Sequence, residues 1–297
     1  MTASHPETPA TRGTAAVAAP LSRRDRVAVR AGRNLIAAIG VGVTMGAGVL
    51  ASLLIERHWF IAVLGLAAAG GTWELAGALR RGAGIRVPRL VLLIGGQAMV
   101  WLAWPFGPAA VAIAFAGTAL GVLLWRMAAG AENYVRDVTA GLFSAAYVPL
   151  FCAFATLMVV APDGVGRVLT FLICVVASDV GGFTAGVLFG RHPMAPSISP
   201  KKSWEGFAGS QIVGMAAGAL SVVFLLHAPW WAGVLTGALL VVSATLGDLV
   251  ESLIKRDLGI KDMGALLPGH GGVLDRLDSL LPTALVAWAA LSLLIPG

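Results

Sequence analysis

The sequence predicts an all-α polytopic integral membrane protein, and three observations support that fold class. Of the 297 residues, 58% are hydrophobic and only 12% are charged, whereas a soluble domain carries about 25% charged residues. The mean hydropathy of +0.85 agrees with this shortage of charge. Apolar runs of about 20 residues recur along the chain, each long enough to cross the hydrocarbon layer as a helix. The runs are continuous rather than alternating, which argues against a transmembrane barrel.

Nine apolar runs predict about nine transmembrane helices. They follow residues 1–30, a stretch rich in Thr, Ala, Pro and Arg that we expect to be a disordered basic arm. Residues 31–170 then form the N-terminal transmembrane helices, and residues 171–297 form a C-terminal transmembrane region. The predicted spans are 34–55, 59–79, 89–106, 108–128, 138–161, 165–189, 207–228, 230–250 and 280–296.

The distribution of lysine and arginine predicts how these helices are oriented. If the N-terminus is cytoplasmic, 19 of the 21 Lys and Arg residues fall in cytoplasmic segments, and only Arg57 and Arg167 fall outside. Cytoplasmic loops of membrane proteins carry such an excess. We therefore expect the N-terminus inside and the C-terminus outside. The same bias explains the net charge of +6, so that charge does not indicate a nucleic acid partner.

The two cysteines carry no recognisable chemistry. Cys152 and Cys174 both lie inside apolar runs and form no CxxC pair. This pattern predicts neither a thiolate metal site nor a disulfide framework. The candidate functional residues are instead charged and polar, and they gather in three segments that the predicted topology places on the cytoplasmic side.

The first segment, residues 178–192, contains Asp179 next to an apolar span and followed by several glycines. A carboxylate near the centre of a transmembrane helix costs about 2.5–3.5 kcal/mol on insertion scales, so such residues commonly serve a function. We interpret Asp179 as an acid of a substrate or metal site. The alternative is that Asp179 caps a neighbouring helix and that the glycines serve helix packing.

The second segment, residues 197–206, places Ser199, Lys201, Lys202 and Ser203 at the entrance of the seventh predicted span. Ser203 is a suitable N-cap for that helix. Adjacent lysines at a helix N-terminus suit an anion, because ammonium groups and free backbone N–H groups point the same way. We expect these four residues to bind a phosphate group. The alternative is an ordinary positively charged cytoplasmic loop.

The third segment, residues 245–278, contains two pairs of acids. Asp248 lies three residues before Glu251, and Asp275 three residues before Asp278, so each pair shares one helix face. Carboxylates together with substrate phosphate oxygens are the ligands that Mg²⁺ prefers. This predicts a magnesium site built from both pairs.

Further polar residues of the third segment suit a phosphate substrate. Lys255 and Lys261 would neutralise a triphosphate, and Arg276 would orient Asp275 or grip a phosphate. His270 could act as an acid–base group, donate a hydrogen bond to a phosphate or serve only as a turn residue. Gly271 and Gly272 let the backbone approach a phosphate. The alternative is an interfacial loop without chemistry. Outside the three segments, Glu74 is either a structural partner or a residue of the substrate cleft.

The third segment also resembles a known family. The run from Ser252 to Asp278, SLIKRDLGIKDMGALLPGHGGVLDRLD, resembles the long pattern of the phosphatidate cytidylyltransferases, also called CDP-diacylglycerol synthases. SDVGGF…GR and SPKKSWEG resemble that family's two upstream motifs. The resemblance is firm over residues 175–280, whereas the N-terminal half matches only in being helical and apolar. A pattern with so many fixed positions is far more specific than a lone glycine motif.

The resemblance implies an enzyme that makes CDP-diacylglycerol and pyrophosphate from CTP and phosphatidate. It implies Mg²⁺, with K⁺ as a candidate second ion, on Asp248 and Asp275, and Asp278 is expected to support them as a metal residue. Residues 171–297 would then hold the CTP and metal site. The expected partners are CTP, phosphatidate and membrane lipid, and a homodimer is left open. The expected location is the inner or plasma membrane, with the active site facing the cytoplasm.

Two other functions remain as alternatives at this point. A CTP-dependent lipid-alcohol kinase would share the membrane character and the use of CTP, but it would transfer the γ-phosphate. A transporter would suit Asp179 and the glycine-rich helices. Against the transporter, the sequence has no internal repeat, and its charges gather at one face rather than at the membrane midplane.

Overall fold

The computed structural model describes residues 35–266 and 271–296, with side chains described from residue 42 onward. The predicted arm at residues 1–30 lies outside this part of the chain, and so does His270. In chain order, the helices and strands are α1 (Leu35–Ile55), α2 (Arg57–Ala83), α3 (Arg89–Met127), α4 (Tyr134–Ala145), a π-helical segment (Ala146–Leu150), α5 (Phe151–Val160), α6 (Gly164–Phe189), β1 (Pro193–Ala195), β2 (Ser199–Ser203), α7 (Trp204–Leu226), α8 (Trp230–Asp257), α9 (Leu274–Leu277) and α10 (Leu280–Leu294).

Seven helical stretches in the described part of the chain are long and apolar enough to cross a membrane. The predicted third and fourth spans fall within the single helix α3, which is interrupted at Gly107 (φ 66°, ψ −157°) between Pro105 and Pro108. Its 39 residues would extend about 58 Å if straight, about twice the hydrocarbon thickness. The chain is thus a helical membrane protein, and the count of nine spans stays a prediction.

The fold is helical, as predicted, and the described residues also contain one short sheet. Strands β1 and β2 form a two-stranded antiparallel hairpin between α6 and α7, with Pro193 opposite Ser203 and Ala195 opposite Ser199. Glu205, in the first turn of α7, accepts hydrogen bonds from the backbone N–H groups of Arg191 and His192, each at 3.2 Å. The hairpin is therefore tied to the start of α7, where the sequence alone suggested only a loop.

The helices enclose a shared core and expose apolar side chains around it. Ile61 and Leu75 of α2, Met158 of α5 and Leu291 of α10 are among the fully or almost fully buried residues. By contrast, the outer surfaces carry many exposed large hydrophobic side chains, such as Phe183 at 75% exposure. Such a surface is suited to lipid contact, because lipid tails are as apolar as the side chains that meet them.

The two ends of the helices differ as the charge distribution predicts. At one end, Arg57 donates to the carbonyl of Ala161 at 3.0 Å, and Arg167 donates to Asp163 and to the carbonyl of Ile295 at 2.6 and 2.7 Å. These are the two arginines predicted to lie outside, and each contacts another segment predicted to lie at that end. The three polar segments lie at the opposite end. Which end faces the cytoplasm stays a prediction.

Helices α7 and α8 cross in direct backbone contact. A Cβ atom added at Gly233 of α8 would come within 2.3 Å of the carbonyl oxygen of Gly218 of α7. Close approach through small residues is the usual way for helices to associate in lipid, where burial of apolar surface gives no driving force. This contact sets the distance between β2–α7 and α8, which carry residues of the candidate site.

Replacing Gly233 with alanine is expected to destabilise the protein. Overpacking of this kind typically costs about 1–3 kcal/mol, because the added methyl group would push α7 and α8 apart. Gly117→Ala in α3 is the matched control, since nothing lies within 4 Å of the corresponding Cβ position. The measurement is thermal unfolding in detergent. Equal unfolding midpoints for the two variants would contradict the proposed role of this contact.

Candidate active site

The three polar segments of the sequence meet at one end of the helices. The first lies on α6, and the second lies on the hairpin and the first turn of α7. The third lies on the end of α8, the described parts of the α8–α9 loop (residues 258–266 and 271–273) and α9. Two cavities open among them, and Lys201 lines both. We name them the amphiphilic cavity and the basic cavity, after the side chains that line them.

The amphiphilic cavity has a volume of about 320 Å³ and joins all three segments. Asp179 lies on its α6 wall, Lys202 on its β2 wall and Asp248 on its α8 wall. Lys202 and Asp248 form an ion pair across the cavity. Phe183, Met194 and Phe207 form an apolar part of its lining. Lys201 and Ser203 of the second segment also line it.

Lys202 is placed by the way in which α7 begins. The hydroxyl of Ser203 accepts a hydrogen bond from the backbone N–H of Gly206 at 3.1 Å, so Ser203 is the N-cap of α7, as the sequence predicts. Lys202 directly precedes this cap at the end of β2, and its ammonium group meets Asp248. Lys202 therefore lies at the N-terminus of α7, as predicted, and the anion that it contacts in this structure is the carboxylate of Asp248.

The basic cavity has a volume of about 650 Å³ and lies beside the first. Three charged side chains from the third segment line it (Lys255, Arg256 and Lys261), and so does Lys201 of β2. Ser199 and Ser252 add hydroxyl groups. Among the residues that the structure describes, no acid lines this cavity, so it has the charge and the hydrogen-bond donors to hold a polyanion.

Lys255 links the basic cavity to a buried group of acids. Its ammonium group pairs with Glu251 one turn earlier in α8 and with Asp275 of α9 at 3.1 Å. The Glu251 side chain is only 1% exposed and that of Asp275 only 9%. Burying two carboxylates this close together requires compensating positive charge, and Lys255 provides it.

The carboxylate of Asp275 is held by backbone donors as well. It accepts hydrogen bonds from the N–H of Gly272 at 2.8 Å and from the N–H of Met263 at 3.1–3.2 Å. Gly272 lies in the second described part of the α8–α9 loop and Met263 in the first. Gly271 has φ +83°, a conformation that favours glycine. The backbone N–H of Gly272 thus binds Asp275 here rather than being free for a phosphate.

Four carboxylates, those of Asp248, Glu251, Asp275 and Asp278, have the chemistry of a site for a hard divalent cation. Asp278 lies close enough to Asp248 to interact with it directly, and Glu251 likewise with Asp275. Oε1 of Glu251 is buried and has no hydrogen-bond partner among the described residues. Oxygen donors of this kind suit Mg²⁺. The chemical type of these donors therefore suits the predicted ion.

The described residues do not, however, present a finished set of metal ligands. Within residues 35–266 and 271–296, no group of three His, Cys, Asp or Glu side chains is arranged to hold a metal ion. Lys202 pairs with Asp248, and Lys255 pairs with Glu251 and Asp275. These carboxylates would have to turn from the lysines to a cation, so the assignment of Asp248, Asp275 and Asp278 as ligands stays a prediction.

The remaining predicted residues have different positions. Lys261 and Ser199 line the basic cavity, while Arg276 is exposed on α9. His270 lies outside the described residues, and its role stays a prediction. The spacing of the acids placed Glu251 in one of the two pairs predicted to hold Mg²⁺. The structure adds that Glu251 is buried and pairs with Lys255 one turn later.

Comparison with known proteins covers nearly the whole chain. The model of the Cytidylyltransferase family matches residues 36–294. The phosphatidate cytidylyltransferase of Mycobacterium bovis is 48% identical over 278 residues, which cover 89% of this chain and 90% of that protein. That of Mycobacterium leprae is 49% identical over 281 residues, with 89% and 90% covered. Phosphatidate cytidylyltransferase 4, chloroplastic, of Arabidopsis thaliana is 38% identical over 176 residues, with 50% and 44% covered.

These matches extend the similarity beyond the motifs that first indicated it. The motif resemblance is firm only over residues 175–280, whereas the family model includes the N-terminal helices from residue 36. The two mycobacterial relatives are similar over nine-tenths of their own length. The chain therefore belongs to the Cytidylyltransferase family.

Proposed function

We propose that this protein is a phosphatidate cytidylyltransferase, which transfers the cytidylyl group of CTP to phosphatidate and releases pyrophosphate. The observation that carries the proposal is a pair of unlike cavities that share Lys201 as a lining residue. Relatives that are 48–49% identical over 89% of the chain bear this enzyme's name. A helical membrane protein is also the expected setting for a reaction on a lipid.

The basic cavity is the proposed site of the CTP triphosphate. Its charged lining residues, Lys201, Lys255, Arg256 and Lys261, are all cations. A triphosphate carries several negative charges, and lysine and arginine stabilise it both in the ground state and while charge moves to the departing pyrophosphate. Lys201 lines both cavities, so a triphosphate in the basic cavity would lie next to a molecule in the amphiphilic one.

The amphiphilic cavity is the proposed site of the phosphatidate headgroup. Lys202 offers a cation to a phosphate, and Phe183, Met194 and Phe207 offer apolar contacts to the glycerol and the first acyl carbons. Phe183 is also exposed on the outer surface of α6, where lipid would surround the helix. A substrate with one charged and one apolar end fits such a lining better than a wholly polar one.

The reaction needs no nucleophilic side chain. The phosphatidate phosphate is already an anion, and one of its oxygens would attack the α-phosphorus of CTP. A bond forms between that oxygen and the α-phosphorus, and the bond from the α-phosphorus to the bridging oxygen of the β-phosphate breaks. The electron pair leaves with pyrophosphate. The residues of the chain would hold the two anions together and offset their repulsion.

A divalent cation completes the proposed site. Mg²⁺, when bound, would offset charge on the phosphate oxygens during transfer. Asp248 and Asp275 would hold it and Asp278 would support them, and the partnerless oxygen of Glu251 lies beside this group. Lys202 and Lys255, which now pair with the carboxylates, would then be available to substrate phosphates. A second ion such as K⁺ belongs to the same proposal.

The proposed setting is the cell membrane, with the site on the cytoplasmic side where CTP is present. Its support is the excess of lysine and arginine in the segments that meet at this end of the helices. A homodimer is an open part of the proposal. No nucleic acid partner is proposed, because orientation explains the positive charge.

Labelled CTP distinguishes this function from the alternative lipid kinase. Purified protein in mixed micelles receives phosphatidate, Mg²⁺ and CTP labelled at either the α- or the γ-phosphorus. The expected result is that the α-label appears in the lipid extract and the γ-label in pyrophosphate. Neither labelled product should form when phosphatidate is left out. Label from the γ-position in the lipid, with CDP as the other product, would overturn the proposal. A kinase test with diacylglycerol in place of phosphatidate serves as the matched substrate control.

A further inference from the structure

The N-terminal half of the chain contributes a buried carboxylate to the candidate site. Glu74 of α2 is only 3% exposed, and a charged group buried in an apolar span is costly unless its oxygens are hydrogen-bonded. Oε1 accepts a hydrogen bond from the backbone N–H of Leu266 at 3.3 Å, and Oε2 accepts one from Leu274 at 2.9 Å. One side chain therefore binds both described parts of the α8–α9 region, almost 200 residues later.

Two glycines make room for this carboxylate. A Cβ atom added at Gly264 would lie 2.2 Å from Oε1 of Glu74, and one added at Gly272 would lie 2.4 Å from Oε2. Both distances are far below van der Waals contact. The carboxylate of Glu74 thus fits directly against bare backbone on each side of the loop. Hydrogen bonds and shape together fix where the loop lies relative to α2.

A second residue of α2 holds the same loop. Arg81, two helical turns after Glu74 and therefore on the same face, donates to the carbonyl of Met263 at 3.1 Å. The N–H of Met263 in turn donates to Asp275. Gly272, which packs against Glu74, also donates to Asp275. Every described backbone donor to the Asp275 carboxylate is therefore held in place by α2.

We propose that Glu74 and Arg81 are positioning residues that set the orientation of the Asp275 carboxylate through the α8–α9 loop. Neither needs to touch CTP, lipid or metal. The inference rests on the proposed function, because it gives Asp275 a part in the transfer. It explains why α2 belongs to the working site although its sequence carries none of the three motifs.

Glu74→Gln tests the role of the carboxylate with little change in shape. A glutamine amide has only one acceptor atom, so one of the two backbone N–H groups would face an NH₂ group. We expect kcat to fall by about tenfold to a hundredfold, because small misplacements in an active site have effects of that size. The KM for CTP should stay within about twofold, since the basic cavity is untouched. The Mg²⁺ concentration that gives half the maximal rate should rise.

Arg81 offers a test that is independent of a buried charge. Its side chain is exposed, so Arg81→Met is expected to fold. That variant should lower kcat with little change in the KM for CTP, and Arg81→Lys should recover part of the loss by donating to Met263. Arg80→Met is the matched control, because it removes the same charge from the neighbouring exposed position and should keep the wild-type rate.

A readout other than activity completes the test. Thermal unfolding is followed with CTP present while Mg²⁺ is titrated, since a bound ion stabilises the folded protein according to its affinity. Glu74→Gln and Arg81→Met should need more Mg²⁺ for the same stabilisation. Wild-type kcat per folded molecule and wild-type Mg²⁺ dependence in both variants would overturn the inference. Failure of the wild-type protein to form CDP-diacylglycerol would instead overturn the proposed function, so the two failures can be told apart.

Discussion

Asp275→Asn is expected to abolish formation of CDP-diacylglycerol while the protein still inserts and folds. The asparagine keeps the size of the side chain and one oxygen acceptor for the N–H groups of Met263 and Gly272. It removes the negative charge that would hold Mg²⁺. Since a metal ion contributes several kcal/mol of charge stabilisation in such reactions, the rate should fall at least about a hundredfold. Initial rates of transfer from α-labelled CTP, measured over a range of Mg²⁺, check this.

Two further variants make that experiment decisive. Asp248→Asn should have a comparable effect, because Asp248 is the other predicted metal ligand and also forms the ion pair with Lys202. Asp257→Asn is the matched control, since this exposed residue at the end of α8 has no part in the site and should retain near-wild-type activity. Full activity with unchanged Mg²⁺ dependence in the Asp275 and Asp248 variants would contradict the metal assignment.

Lys255→Met should impair both stability and activity. The change leaves Glu251, which is 1% exposed, without its cation, and breaking a buried pair by removing one partner typically costs about 3–5 kcal/mol. Because Lys255 is itself 20% exposed, we expect the lower part of that range. Activity should fall about a hundredfold or more, because the same ammonium group lines the basic cavity and faces Asp275. Thermal unfolding and initial rates measure the two effects separately.

A double variant separates the two contributions of Lys255. Glu251→Gln combined with Lys255→Met removes both charges of the pair, so most of the lost stability should return. Activity should not return, since the cation for the triphosphate is still missing. If the double variant were no more stable than Lys255→Met, the buried pair would not be the cause of the destabilisation. If Lys255→Met kept the wild-type rate, the proposed place of CTP would be wrong.

Local rules predicted several parts of the site correctly. Ser203 caps α7 as expected, because an N-cap depends only on a hydroxyl and the next few residues. The spacing of Asp248 and Glu251 places both on one stretch of α8, because helix geometry is local. Among the described residues, most lysines and arginines lie at the end of the helices that carries the three polar segments, while Arg57 and Arg167 lie at the other end, as the charge preference of membrane loops predicts.

Other parts depended on contacts that local rules do not describe. The β1–β2 hairpin is short, and its residues carry no strand pattern strong enough to predict it. The sequence left undecided whether Glu74 is a structural partner or a residue of the substrate cleft. Its hydrogen-bond donors, Leu266 and Leu274, follow almost 200 residues later. The backbone N–H of Gly272 was expected to approach a phosphate, and in this structure it donates to Asp275, a pairing that no local sequence pattern indicates.

The sequence by itself determined that this chain is a helical membrane protein, that it resembles the cytidylyltransferases, and which acids and lysines are candidates for the chemistry. Those conclusions follow from composition, from helical spacing and from motifs, all of which are read along the chain. Only the tertiary structure decided which charges meet, so that Lys202 pairs with Asp248, Lys255 with Asp275, and α2 supports the loop. The physical reason is that ion pairs and hydrogen bonds act over a few ångströms in space, whatever the distance along the chain.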